Sequence, residues 1–377
     1  MKAITNGLIL LKDECVKNKV LVVSEQIMGL FDEVPEKCEV IDVQGAYVSA
    51  GLVDIHIHGF AGYDVMDASE VGLQTISDEL LKFGVTSYCP TTMTMSKDAI
   101  LKALECVKKV QANQKSGARI LGVNLEGPFI SMAYKGAQNP DFIQSPSFEL
   151  IEPYKDLIKL MTIAPEIEGA QTFIQRVKQE TNITVSIGHS SATYDEAKQS
   201  VQNGITHATH LFNGMTGLHH RDPGVVGAVL TSSQVKAELI ADTIHVNPAL
   251  FSFLAHTKGP EGLVLITDSM RAGGMCAGTY DLGGQMVIVK DGRACLESGS
   301  LAGSVLTLDR AVSNFMTHTT LPLTQVINYA SYVPASSIGE AHQIGSLEVG
   351  KKADFVIWEP DLTVRQTYVN GECVYSK

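Results

Sequence analysis

Eight short apolar segments recur through the middle of this chain, and their spacing constrains its fold more than any other feature. They run Val53 to Ile57, Thr86 to Pro90, Ile120 to Leu125, Leu160 to Ala164, Ile183 to Ile187, Ile205 to Ala208, Ala237 to Ala241 and Leu263 to Ile266. Helix-like stretches separate most of them, among them Glu70 to Lys82, Lys97 to Gln111, Ala170 to Glu180 and Thr193 to Gln202. Strands alternating with helices make a parallel sheet covered on both faces. An open sheet would leave two edges of unpaired N–H and C=O groups, whereas eight repeats allow closure, which removes them. No G-x-G-x-x-G opens a helix after the first strand, so a dinucleotide fold has no support. The expected class is α/β, a (β/α)8 TIM barrel. Helical patterns at Leu306 to Met316 and Leu323 to Tyr332 then close the barrel or cover its outside.

Both ends of the chain have a different texture. Ala3 to Leu11, Lys19 to Val23 and Glu39 to Asp42 read as short strands, as do Asp354 to Trp358 and Thr367 to Tyr375, which carries Asn-Gly in its middle. Chain termini often lie close together, so residues 1–50 plus 345–377 are expected to form one small β-sandwich domain beside a barrel of 51–344. The alternative is that each end caps the barrel separately. With 45% hydrophobic and 19% charged residues, the chain can bury a large core and is not disordered. Lys and Arg number 29 against 41 Asp and Glu, a net charge of −12, which argues against a nucleic-acid surface but not against a small anionic ligand. No apolar run is long enough for a membrane span. The apolar run near the N-terminus soon becomes charged, without a small-residue cleavage site, and reads as a strand rather than a signal peptide. Seven scattered cysteines without C-x-x-C read as reduced thiols, which points to the cytoplasm.

The expected strand ends are unusually polar. VDIHIHG places His56 and His58 two apart, on one face of the first strand. Glu126 ends the third, His189 the fifth and Asp268 the eighth, and His210 follows the sixth. Taken singly, each reads more readily as a helix cap or a satisfied core residue than as a ligand. As a set, at the C-terminal ends of strands in one barrel, they would converge on one mouth. Burying so many titratable groups without a partner is costly, and imidazole with carboxylate suits Zn, Fe or Mn. A divalent-metal site is therefore expected. His207 should support that site from behind or pack between barrel and helix. His219, His220 and His245 fall in loops after strands six and seven, on the substrate side, whereas His256, His318 and His342 have no comparable placement.

These residues resemble the metal-dependent amidohydrolase superfamily and, within it, the N-acetylglucosamine-6-phosphate deacetylase family. The resemblance extends from ITNGLIL through GLVDIHIHG, KFGVTSYCPT, NLEGPF, KGAQNP, APE, IGHS, THLFNGM, RDPGVVGA, IADTIHV and LAGS to GSLEVGKKADFVIW. H-x-H alone is weak; EGPF with THLFNGM and the following Arg-Asp-Pro-Gly is specific. The resemblance implies a metal-dependent barrel with a small β-domain built from both termini. It implies that Glu126 bridges where many relatives use a carboxylated lysine, that His189 and His210 ligate beside it, and that Asp268 is the catalytic base as well as a metal neighbour. It places His245 at the reacting carbonyl and Asn213, Gly214 and Arg221, helped by His219, on the phosphate. It also implies a homodimer in which Arg221 reaches the neighbouring active site. Without the resemblance, Arg221 reads rather as a partner of Asp222 or another surface carboxylate.

Two departures from the family pattern matter. Some members lack the first histidine pair, but His56 and His58 are present, so one or two ions (Zn, Fe, Mn or Co) are expected. A position that is His in some members is Gln138, whose amide can donate to a carbonyl or sugar hydroxyl but cannot carry a proton. The implied reaction removes acetate from a small phosphorylated amino sugar. An amide is unactivated, and a metal can lower the pKa of water and polarise the carbonyl. No G-x-S-x-G elbow or papain-like cysteine motif offers a covalent route. The alternatives are a cyclic-amide hydrolase of the dihydroorotase or hydantoinase type, and an inactive barrel used for binding. The second requires lost ligands, and none of the expected set is missing.

Overall fold

The computed structural model describes residues 1–377, the whole chain. All eight expected strand segments form a parallel barrel, each hydrogen-bonded to its neighbour in chain order. The barrel strands are Leu52–Ile57, Val85–Thr92, Val123–Glu126, Ile158–Ile163, Thr184–Ile187, Ile205–Ala208, Lys236–Ile240 and Leu263–Ile266. The third was expected as one run from Ile120 but is broken, with a separate piece at Arg119–Ile120. Gly122 sits in the break at φ +153°, and a Cβ there would lie 2.4 Å from the Leu157 carbonyl oxygen, so only glycine lets the chain re-aim.

Closure between the eighth and first strands is made by few groups. The N–H of Asp268 donates to the His56 carbonyl at 2.9 Å, and Ile57 bridges Ser269. The Thr267 hydroxyl donates to Asp54 Oδ2 at 2.6 Å, and the Thr267 and His56 N–H groups point to Oδ1. Asp54 is fully buried, and burial pushes its carboxyl up to about 7 despite the opposing hydrogen bonds.

The helices lie where the 3.6-residue pattern placed them, including Glu70–Leu80, Lys97–Asn113, Ala170–Glu180, Tyr194–Asn203 and Leu308–Thr317. The last expected helix is instead two, Leu323–Tyr329 and Tyr332–Ser337. Pro334 has no N–H to give the Ala330 carbonyl, which accepts from Val53 of the first barrel strand instead.

The two ends of the chain do share a sheet. Phe355–Trp358 pairs antiparallel with Tyr47–Ala50, which pairs in turn with Leu8–Leu10. The Asn-Gly in the tail is a hairpin turn, with Asn370 and Gly371 both at positive φ. A second sheet of Lys2–Thr5, Val20–Val23, Ile27–Phe31 and Glu39–Asp42 completes the small β layer. Fourteen buried residues, among them Ile9, Val48 and Phe355, form a core separate from the 80-residue core of the barrel, so the β unit has its own interior.

One element was not anticipated. Gly278–Leu282, Gln285–Lys290 and Arg293–Leu296 form an antiparallel three-stranded sheet after the eighth barrel strand. Its turns, Gly283-Gly284 and Asp291-Gly292, are short-range hairpin signals that were present in the sequence. It packs Leu282, Val287 and Val289 against Met93 and Met270 beside the barrel mouth.

Candidate active site

The barrel brings His56, His58, Glu126, His189, His210 and Asp268 to one centre, nearly all of it buried. Glu126 lies in the middle. Its Oε1 is 3.1 Å from both His189 Nε2 and His210 Nε2, and its Oε2 is 3.2 Å from His58 Nε2. Asp268 Oδ1 lies 3.3 Å from His58 Nε2 and 3.5 Å from His56 Nε2. Two ligand triads result, His56–His58–Glu126 and Glu126–His189–His210, sharing the carboxylate.

Each imidazole is held by its other nitrogen. Nδ1 of His56 meets Glu238 at 2.9 Å, that of His58 the Thr91 carbonyl at 3.3 Å, that of His189 the Tyr134 carbonyl at 2.8 Å, and that of His210 the Asn213 carbonyl at 3.1 Å. Acceptors at every Nδ1 fix the tautomer that leaves an Nε2 lone pair facing the centre, the arrangement that suits a metal ligand. His56 Nε2 is buried without any hydrogen-bond partner, and His189 Nε2 and His210 Nε2 are only 3.2 Å apart. Nitrogen lone pairs crowded in this way fit a divalent ion, and the donor set suits Zn, Fe, Mn or Co.

The backbone also marks the centre. His189, His210 and Asp268 adopt φ of 47°, 28° and 49°, a left-handed region that costs non-glycine residues about 1–3 kcal/mol. Glycines make room around His189, since a Cβ on Gly214 would lie 3.0 Å from its Nδ1.

The protonation pattern follows from this crowding. Burial would raise the Glu126 carboxyl, but hydrogen bonds and charge from His189, His210 and His58 hold it well below the usual range. Burial would lower His56, yet Glu238, Asp268 and Glu126 together raise it to about 9. His58 is raised against its burial by Asp268 and Glu126. Asp268, despite burial, is held low by His56 and His58.

A cavity of about 290 Å³ opens over the centre, lined by Gln138, Asn213, Gly214 and His245 as well as by His58, Glu126, His189, His210 and Asp268. His245 is oriented by Asp242, whose Oδ2 meets its Nδ1 at 2.6 Å. Gln138 is clamped at both ends: its Oε1 accepts from the Thr94 N–H at 2.8 Å and its Nε2 donates to Glu126 Oε2 at 2.6 Å. His219 and Arg221 are exposed and do not line this cavity. Arg221 contacts His220 at 2.6 Å and forms no ion pair with Asp222 or any other carboxylate of its own chain.

Of the residues behind the site, the sequence singled out His207 but not Glu238, Asp54 or Glu166. Glu238 binds His56 and His207, which is fully buried with Nε2 at 3.2 Å from Glu238 Oε1. Asp54, two before His56 and on the same face, was a legible signal, as was Glu238, the one charge in the otherwise apolar run AELIA. Glu166, of APE, accepts from the Ser190 hydroxyl and the Ser191 N–H, bracing the loop that carries His189.

This fold and centre define a class: an α/β barrel that gathers imidazoles and carboxylates at the C-terminal ends of its strands for a divalent metal. The amidohydrolase family model matches residues 47–374. The chain is 41% identical over 335 residues to N-acetylglucosamine-6-phosphate deacetylase of Lysinibacillus sphaericus, covering 88% of this chain and 86% of that one. It is 36% identical over 356 residues to N-acetylgalactosamine-6-phosphate deacetylase of Escherichia coli O157:H7, covering 93% of each. The crystal structure of N-acetylglucosamine-6-phosphate deacetylase from Pasteurella multocida superposes with a TM-score of 0.95 at 32% identity, covering 100% of both chains. The chain belongs to the amidohydrolase family, in the branch formed with these deacetylases.

Proposed function

We propose that this protein hydrolyses N-acetyl-D-glucosamine 6-phosphate to acetate and D-glucosamine 6-phosphate. The observation that carries the reading is the pair of triads sharing Glu126, with Asp268 beside them, under a cavity in a chain that matches such deacetylases over most of its length. A cyclic-amide hydrolase is not favoured, because the relatives are deacetylases and Glu126 stands where a modified lysine would be needed.

A bound divalent ion would lower the pKa of water and polarise the amide carbonyl. His56, His58, Glu126, His189, His210 and Asp268 would hold one or two such ions, with Glu126, His189 and His210 forming the tighter set. Asp268 takes a proton from the attacking water; the C–N bond breaks, and the same carboxyl gives that proton to the leaving amine. His245, whose Nδ1–H is held by Asp242, would donate from Nε2–H, in the doubly protonated imidazolium form, to the carbonyl oxygen where negative charge develops. Gln138 keeps one amide hydrogen for the carbonyl or a sugar hydroxyl while the other stays on Glu126.

Asn213 and Gly214 border the cavity and would receive the 6-phosphate, with backbone N–H groups close because Gly214 has no side chain. Arg221 and His219, exposed outside their own cavity, would serve the phosphate site of a second copy, which makes the working unit a homodimer. The division into a catalytic barrel of 51–344 and a β unit of 1–50 with 345–377 belongs to this reading. The scattered, unpaired cysteines support a cytoplasmic location in this reading, and no helix is long and apolar enough to cross a membrane.

The test measures acetate release from N-acetylglucosamine 6-phosphate by protein stripped with a chelator and then reloaded with Zn²⁺, Fe²⁺, Mn²⁺ or Co²⁺. Release restored by at least one ion is expected. No release with any ion, or turnover of a dihydropyrimidine instead, would overturn the assignment.

A further inference from the structure

Glu238 lies in the middle of the seventh barrel strand, fully buried, and has no role in the chemistry above. Its Oε2 accepts from two groups that belong to different triads: His56 Nδ1 at 2.9 Å and the backbone N–H of His210 at 3.0 Å. Its own carbonyl accepts the next N–H, that of Leu211, at 2.9 Å, and Oε1 faces His207 Nε2 at 3.2 Å. A buried carboxylate must be satisfied by N–H donors, and here the donors are the metal site's own supports. His210 is also the residue whose φ of 28° departs from ordinary strand geometry, and Glu238 grips that turn at two consecutive N–H groups.

We infer that Glu238 is a positioning residue that holds the two metal half-sites in register, setting the His56 ring and the His210 backbone with one carboxylate oxygen. The inference rests on the metal-binding reading above. What Glu238 must supply is an acceptor at the Oε2 position. Leucine removes it, aspartate draws it back by one methylene, and glutamine keeps a carbonyl there while its amide turns toward His207.

The experiment titrates chelator-stripped protein with Zn²⁺ by calorimetry and counts bound zinc by mass spectrometry. It uses wild type, Glu238→Leu, Glu238→Asp and Glu238→Gln, together with Glu238→Leu in a His56→Ala background. Loss of an outer support typically lowers metal affinity about 10- to 100-fold. That loss is expected for Leu and Asp, with Gln close to wild type. In the His56→Ala background, Glu238→Leu should still weaken the remaining ion, because it acts on His210 too. If Glu238→Leu does not fold, the Asp and Gln variants carry the comparison. A purely structural role would lower the unfolding temperature of stripped protein and leave Zn²⁺ affinity unchanged, and this result overturns the inference. So does a loss confined to the His56–His58 ion. Wild type that binds no Zn²⁺ would overturn the metal reading itself, a result distinct from wild-type binding with an unaffected Leu variant.

Discussion

Asp268 combines two constraints that rarely meet in one side chain: a left-handed backbone and a carboxylate held low by neighbouring imidazoles although it is buried. Such a group stays ionised near neutrality and can accept a proton. Asp268→Asn keeps the shape and removes that capacity, so turnover should fall by about 10²- to 10⁴-fold with folding intact. A folded Asp268→Asn protein with near-normal turnover would remove Asp268 from the role of base. The imidazoles give a second prediction. His56 is raised from 6.5 to about 9, and His58 and His189 are raised as well, each against its burial by the surrounding carboxylates. Raised folded-state values contribute stability that is full below the unfolded value. Chelator-stripped protein should therefore lose stability as pH rises from 6.5 to about 9. Metal must displace those protons, so Zn²⁺ loading at neutral pH should release protons, measurable by calorimetry in buffers of different ionisation enthalpy. Equal heats in all buffers would contradict this.

At the level of elements, the barrel's weakest seam lies between its first and eighth strands, where Asp54 substitutes for part of a ladder. Asp54→Ala leaves the Thr267 hydroxyl and N–H groups without their acceptor in a buried place. The expected cost is about 1–3 kcal/mol, read as a lower denaturant midpoint, with metal content reduced because His56 and Asp268 flank the seam. An unchanged midpoint would mean that the Asp268-to-His56 and Ile57–Ser269 links close the barrel alone. The strands themselves were legible because a buried parallel strand is a short apolar run between turns. The third strand's break at Gly122 was not, because it arises from a close approach to the Leu157 carbonyl on the neighbouring strand. The three-stranded sheet was missed although Gly283-Gly284 and Asp291-Gly292 signalled hairpins, since its alternation is short and half exposed.

At the scale of the whole molecule, Arg221 is the test of assembly. Its guanidinium has no carboxylate partner and lies outside its own chain's cavity, as a group serving a second copy would. Arg221→Ala should cut catalytic efficiency on N-acetylglucosamine 6-phosphate far more than on the unphosphorylated sugar. Mixed dimers of Arg221→Ala with Asp268→Asn should regain activity, since one of their two sites then holds both residues intact. An unchanged preference between sugars removes the phosphate role, and verified mixed dimers without activity remove the crossing. By itself, the sequence determined the barrel, the union of strands at both ends and the centre of His56, His58, Glu126, His189, His210 and Asp268. Strand periodicity and position relative to a strand's end are local properties, and closure sends every such end to one mouth. Apart from His207, only the tertiary structure decided what stands behind that centre. Glu238 meets His56 across 182 residues of chain, and Asp54 meets Thr267 across 213, because barrel closure makes neighbours of strands that no local pattern relates.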